Sequence, residues 1–394
     1  MPAPMMDTYA PPDLVFDHGK GVHLFTASGE KYLDFISGIA VNALGHADPD
    51  AVAALKAQSE KLWHLSNMFK VPAGVELANK FVEATFADRV FFTNSGAEAV
   101  EASLKVARKY HFDQGRPDRY RIITFTGAFH GRTYGAINAG GNPAYLKGFG
   151  PRMEGFDQVE FGDHDALKAA ITEETAAILV EPVQGEGGVR ALPDVCLRGL
   201  REICDEHGLL LIYDEVQCGA GRTGKLFAHQ WVEGAEPDVM AVAKGVGGGF
   251  PMGACLATEA AAKGMVVGTH GSTFGGNPLA MAVGNVVFDK LTADGFMEQV
   301  VEVSNYLKQQ LSGVADRHAD KVEDVRGKGL LAGLKLREGY VNKKLVGLAR
   351  DRHLLIGAAG DNVARMAPPL IISENDASQA ASILDEALGA LQKD

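Results

Sequence analysis

Charge of one sign is nowhere concentrated in this chain. Its 38 lysines and arginines stand against 50 aspartates and glutamates, a net charge of −12. They are spread without a basic block or an acidic tail, so nucleic acid has no electrostatic footprint to bind. Long apolar runs are also missing: none is long enough to span a bilayer. The opening segment MPAPMMDTYAPPD lacks the basic and apolar parts of a secretory signal. The expected compartment is the cytosol, with neither nucleic acid nor membrane as a partner. Cysteine is scarce. Cys196, Cys204, Cys218 and Cys255 form no Cys-x-x-Cys pair and keep no zinc-like spacing to histidine, so free, mostly buried thiols and no metal centre are expected. No Gly-x-Gly-x-x-Gly follows a first strand with an acid about 20 residues on, which argues against a dinucleotide-binding dehydrogenase. Internal repeats and low-complexity linkers are absent as well.

Glycine, in contrast, is plentiful: 47 of 394 residues, against a usual share of about 7%. Many tight turns and close backbone approaches follow. A hydrophobic content of 46% is enough for a large core, and the length suits two or three domains. Residues 21–35 read as a hairpin turning at Ala27-Ser28-Gly29, and a helix follows over 50–63. Apolar strands then alternate with helical patterns: DRVFFTNSG, AEAVEASLKVARKYH, RIITFTGAF, AAILVEPV, VCLRGLREICDEHG, LLLIYDEV, DVMAVAKG. Strands that are apolar almost throughout imply an α/β fold with a mostly parallel central sheet flanked by helices on both faces. Beyond GGNPLAMAVGNVVFDKL the chain turns more helical and charged, with shorter strands. The N-terminal hairpin lacks a sheet of its own. A small α+β domain built from both termini is therefore expected, as segments 1–55 and 277–394 around a large domain at 56–276.

Polar and glycine-rich motifs sit where these strands end. Lys244 leaves an apolar strand into a glycine turn, 30 residues after Asp214 ends another. A buried ammonium is costly unless partnered or neutralised. Capture of an aldehyde would remove that cost, and pyridoxal 5'-phosphate is the aldehyde whose ring nitrogen needs a buried carboxylate such as Asp214. The plainer alternative is a strand-end lysine reaching solvent. Asn94-Ser95-Gly96-Ala97 opens a helix, where free amides bind phosphate, or where Ser95 or Asn94 simply caps it. Phe129 can stack on a pyridine ring and Arg132 can fork a carboxylate. Alternatively Phe129 is core and Arg132 a surface ion pair. Glu181-Pro182-Val183-Gln184-Gly185-Glu186 brings two acids and a glutamine to a strand end, which suits a polar cleft. After Asp214, Val216 can pack on a ring face and Gln217 can donate to a phenolic oxygen. Ser272 and Thr273, in a glycine-framed loop before a helix, suit a phosphate or a plain cap.

Taken together, YLDFISGIAVNALGH, NSGAEAVEASLKVAR, AFHGRTYGA, EPVQGEGG, LIYDEVQCGAGRTG, AKGVGGGFPMGA and HGSTFGGNPLA resemble the class III, fold-type I aminotransferases over nearly the whole chain, and among them the acetylornithine branch. The resemblance implies that Gly96 and Ala97 bind the cofactor phosphate, Phe129 stacks on its ring, and Asp214 holds its nitrogen. It further implies that Glu215, Val216 and Gln217 complete the seat and that Lys244 takes the aldehyde. Thr273 would reach the phosphate of the neighbouring subunit, giving a homodimer with composite sites. Amino acids and oxo acids would be the substrates, with Arg132 on the distal carboxylate, Arg365 on the α-carboxylate, and Ser272 among the substrate-binding groups. Glu186 would mask Arg365 whenever an ω-amine enters. Gly38 falls near the position where ornithine aminotransferases carry a tyrosine, which favours an acylated substrate. The implied reaction is ping-pong transfer between N2-acetylornithine and 2-oxoglutarate in arginine biosynthesis. The rivals are ornithine, 4-aminobutyrate or succinyldiaminopimelate aminotransferases, an aminomutase, or a non-catalytic scaffold.

Overall fold

The computed structural model describes residues 4–393. Its centre is a seven-stranded sheet in the spatial order Arg89–Thr93, Gly253–Ala257, Val239–Val242, Leu210–Asp214, Thr175–Val180, Arg121–Phe125, Phe156–Val159. The Leu210–Asp214 strand runs parallel to both of its neighbours, whereas Gly253–Ala257 is antiparallel to both of its own. The reversal has a simple cause. Residues 243–252 are too few for the crossover that a parallel return needs.

Successive side chains along each strand go to opposite faces, and both faces are covered. Leu211 and Tyr213 pack with Leu197 and Ile203 of the Asp194–His207 helix. Leu210 and Ile212 pack with Val106 and Ala107 of the Gly96–Asp113 helix. Burial on two sides is why these strands read as unbroken apolar runs. The Phe156–Val159 and Gly253–Ala257 strands have no such signature: FDQV is short and half polar, and GACLA is built from small residues.

The two termini meet. The His23–Thr26 and Lys31–Asp34 strands form the expected hairpin, with Gly29 at a φ of 87° in its turn. Its second strand is extended by Leu354–Leu355, which pairs with it in parallel. A further antiparallel sheet of Val322–Lys328, Leu331–Leu336, Val363–Met366 and Gly357–Ala359 lies against the Phe296–Arg317 helix, which packs on Glu374–Ala390. The Pro278–Leu291 helix packs instead on Pro49–Ser59 and Pro72–Ala84. No helix among the described residues is long and apolar enough to cross a membrane.

Candidate active site

A cavity of about 450 Å³ opens at the carboxyl ends of the parallel strands, the edge at which open α/β sheets hold ligands. Asp214, the last residue of a wholly buried strand, lines it. Its Oδ2 meets His130 Nδ1 at 2.8 Å and its Oδ1 accepts the Val216 N–H at 3.0 Å. His130 is itself buried, and its Nε2 has no partner among the described residues.

Lys244 faces the same cavity, held at the strand exit with a φ of 49°. A lysine in the left-handed region is strained, as happens where a site dictates the backbone. Burial is the largest of the effects that together bring its ammonium down to about 8. Glu186, Asp214 and Glu181 pull it back up, and Arg365 lowers it further.

Gly96 and Ala97 begin the 18-residue helix Gly96–Asp113, with Ser95 capping it through a bond from the Glu98 N–H. Their own N–H groups belong to the first turn, which has no intrahelical acceptor. A Cβ on Gly96 would stand 2.6 Å from Val216 Cγ1, so only glycine lets the backbone approach here. Phe129 and Val216 contribute apolar surface to the cavity and Gln217 a polar one. Free amides for a phosphate, apolar walls for a ring, a buried carboxylate and a depressed lysine together fit pyridoxal phosphate.

Beyond Gln217 lies an ion pair. Arg365, 2% exposed on the Val363–Met366 strand, donates to Glu186 Oε1 at 2.5 Å and to Gln217 Oε1 at 3.0 Å. Gln217 in turn donates to Glu186 at 3.3 Å. Burial alone would raise Glu186, but the Arg365 guanidinium outweighs it and holds the carboxyl below its usual range. Arg132, at the cavity's outer wall, lays its guanidinium 3.8 Å over the Tyr145 ring and 5.6 Å from that of Phe129.

Other expected residues lie elsewhere. Glu215 does not line the cavity; its carboxylate accepts the Ala228 and His229 N–H groups from a neighbouring turn. Ser272 accepts the Gly275 N–H at 2.9 Å and a bond from Asn94 Nδ2 at 3.2 Å. With Thr273 it borders a surface depression beside His64 and Met68 instead of the lysine cavity. Gly38 sits in a left-handed turn with a φ of 66° and does not reach the cavity, which Val41 lines. His130, Glu181 and Tyr145 are among the residues at the site that received no role from the sequence. His130 and Glu181 stood inside motifs already singled out, next to Phe129 and at a strand end. Tyr145, in a turn-rich stretch after Asn142, carried no signal at all.

The sequence model of the Aminotransferase class-III family matches residues 5–388. An acetylornithine aminotransferase from Mesorhizobium japonicum is 59% identical over 376 residues, covering 95% of this chain and 94% of that protein. The N-acetylornithine aminotransferase structure from Stenotrophomonas maltophilia is 37% identical with a TM-score of 0.84, covering 96% of each chain. An ornithine aminotransferase from Toxoplasma gondii, with pyridoxal phosphate partly occupying its active site, superposes at a TM-score of 0.93 with 30% identity, over 98% of this chain and 92% of that one. The chain therefore belongs to the class III aminotransferases, enzymes that work through pyridoxal phosphate.

Proposed function

We propose that the chain is an acetylornithine aminotransferase. It moves an amino group between N2-acetylornithine and 2-oxoglutarate, giving N-acetylglutamate 5-semialdehyde and glutamate, in the cytosol and in the service of arginine biosynthesis. The single observation that carries this reading is the Glu186–Arg365 pair, which bonds to Gln217 of the lysine cavity. An enzyme that takes an α-amine from glutamate and also an ω-amine from a second substrate must show an arginine to the first and hide it from the second. A carboxylate that pairs with that arginine through a swinging side chain does this by charge alone. The names of the Mesorhizobium japonicum and Stenotrophomonas maltophilia proteins point to the same substrate.

The residues then divide the work. The Gly96 and Ala97 N–H groups hold the cofactor phosphate at the positive end of their helix. Phe129 and Val216 bound the ring, and Asp214 keeps a proton on its nitrogen. When bound, the cofactor supplies an electron sink for the bond broken at the amine-bearing carbon. Lys244, brought to about 8 chiefly by burial, is neutral often enough near neutral pH to accept that carbon's proton on Nζ and give it back. Arg132 grips the distal carboxylate, and Arg365 the α-carboxylate once Glu186 has moved.

The proposed assembly is a homodimer in which Thr273 reaches the cofactor phosphate of the neighbouring subunit. Exposed Trp63, Met68, Phe69 and Phe274 near the Thr273 loop support it, because large apolar side chains gathered at one surface suit an interface. Segments 1–55 and 277–394 would form the small domain around 56–276. Rapid mixing of the loaded enzyme with acetylornithine, ornithine, 4-aminobutyrate and glutamate, followed by visible absorbance, tests the substrate. Acetylornithine and glutamate should discharge the cofactor fastest. Ornithine or 4-aminobutyrate outrunning acetylornithine would overturn the assignment.

A further inference from the structure

Glu181 is the one carboxylate at the cavity to which no step above gives a task. It ends the buried Thr175–Val180 strand, is 4% exposed, and lines the same cavity as Asp214 and Lys244. The two acids are served unequally. Asp214 has His130 Nδ1 and the Val216 N–H. Glu181 has one hydrogen-bond partner, the Phe129 N–H, which it accepts on Oε2 at 3.0 Å, and no ion pair among the described residues. An ionised carboxylate out of water needs a cation or several donors, and a second carboxylate nearby makes that need greater.

We propose that Glu181 is a neutral carboxylic acid in the working enzyme, and that it positions the cofactor ring by anchoring the Phe129 main chain without adding a second negative charge to the cavity. The groups facing it favour the same state. Burial raises it well above the usual carboxylate range, and Asp214 and Glu186 raise it further. The Phe129 N–H and Lys244 pull the other way without prevailing. The Cys218 thiol, pushed up by burial and by nearby acids that include Glu181, adds no positive charge. One proton on Glu181 leaves Asp214 as the carboxylate for the ring nitrogen. It also removes the upward pull that an ionised Glu181 exerts on Lys244. Phe129 stays in place because the carboxyl oxygen accepts its N–H in either protonation state.

The ring-positioning half rests on the proposed cofactor seat; the protonation half does not. Infrared difference spectra of the cofactor-free protein, wild type against Glu181→Gln at neutral pH, should show a protonated-carboxyl carbonyl band that the variant lacks. Loss of carboxylate stretches alone would overturn the proposal. In the loaded enzyme the visible titration midpoint should move by less than about 0.3 unit in Glu181→Gln, because an amide replaces a neutral acid of the same shape. An ionised Glu181 would instead give a fall of about one unit or more. Glu181→Leu, which lacks the acceptor, should release the cofactor at least about tenfold faster while Glu181→Gln holds it as wild type does, a split of about 1.4 kcal/mol or more. A leucine variant that holds the cofactor normally would remove the anchoring role. Wild-type protein that takes up no cofactor would sink the proposed function, yet leave the infrared result standing.

Discussion

Glu186→Ala is the perturbation with the clearest consequences, because it separates what the ion pair does for stability from what it does for binding. Arg365 is almost wholly buried and its Nε has no partner among the described residues. Once Glu186 is gone, the guanidinium keeps only the Gln217 carbonyl. Removing one member of a fully buried pair costs about 3–5 kcal/mol. The Glu186 side chain is 28% exposed, so water screens part of the loss and about 2–3 kcal/mol is the expected drop. Binding should change in the opposite direction. A dicarboxylate reaching Arg365 in the wild type must first open the pair, and an opening cost near 2 kcal/mol corresponds to roughly a thirtyfold weaker Kd. Glutarate, which resembles 2-oxoglutarate but cannot react, should bind the alanine variant about 10–100 times more tightly by calorimetry. It should also restore most of the lost stability in urea melts. The ω-amine half-reaction should slow while the glutamate half-reaction is spared. Unchanged or weaker glutarate binding, or equal effects on both half-reactions, would refute the masking argument.

Lowering the pH should imitate that variant. Glu186 is held below its ordinary range by Arg365, so the pair's contribution is complete above that range and is lost as pH falls through the folded-state value. The stability gap between wild type and Glu186→Ala in urea melts should then close, within the pH limits of folding. Lys244→Met should abolish turnover and the visible cofactor absorption, and retained steady transamination would contradict its role. The same variant should be more stable than wild type when both lack cofactor. A lysine at 10.5 in the unfolded chain and about 8 in the fold carries a penalty of up to about 3 kcal/mol at neutral pH. The gap should close as pH climbs from 8 through 10.5, because over that span the unfolded wild type binds more protons than the folded; a gap that widened would refute the assignment. Arg222, fully buried, donates to the Leu330 and Pro368 carbonyls and pairs with no carboxylate among the described residues. Arg222→Ala leaves a cavity and two carbonyls without their donor and should cost about 2–5 kcal/mol by denaturant melts, and a loss under 1 kcal/mol would mean those carbonyls are satisfied otherwise. Trp63→Glu should shift sedimentation toward monomer and reduce activity with it; an intact, active dimer would move the interface elsewhere.

Much of this enzyme is legible in one dimension because its chemistry is tied to strand ends. A parallel strand buried on both faces must be apolar throughout, so Asp214 and Lys244 stand out as the residues at which LLLIYD and MAVAK stop being core. The Gly96 turn is visible because the close approach of Val216 demands a residue without a Cβ. Arg365 carries no such local signal: NVARMAPPL is an ordinary short strand, and only the family resemblance gives that arginine a role. Folding brings it beside Glu186, 179 residues earlier. Ser272 and Thr273 border a surface depression and not the lysine cavity, because a loop's sequence does not say which cavity it faces. Glu215 shows the limit of reading by adjacency: it follows Asp214, but the chain turns at the strand end and its carboxylate goes to Ala228 and His229. Patterning along the chain decides strands, helices and the residue types at their ends, since these depend on nearest neighbours and burial. Which acid stays charged, which arginine is masked and which ring supports Arg132 depend on partners far apart in sequence, and only packing in three dimensions settles them.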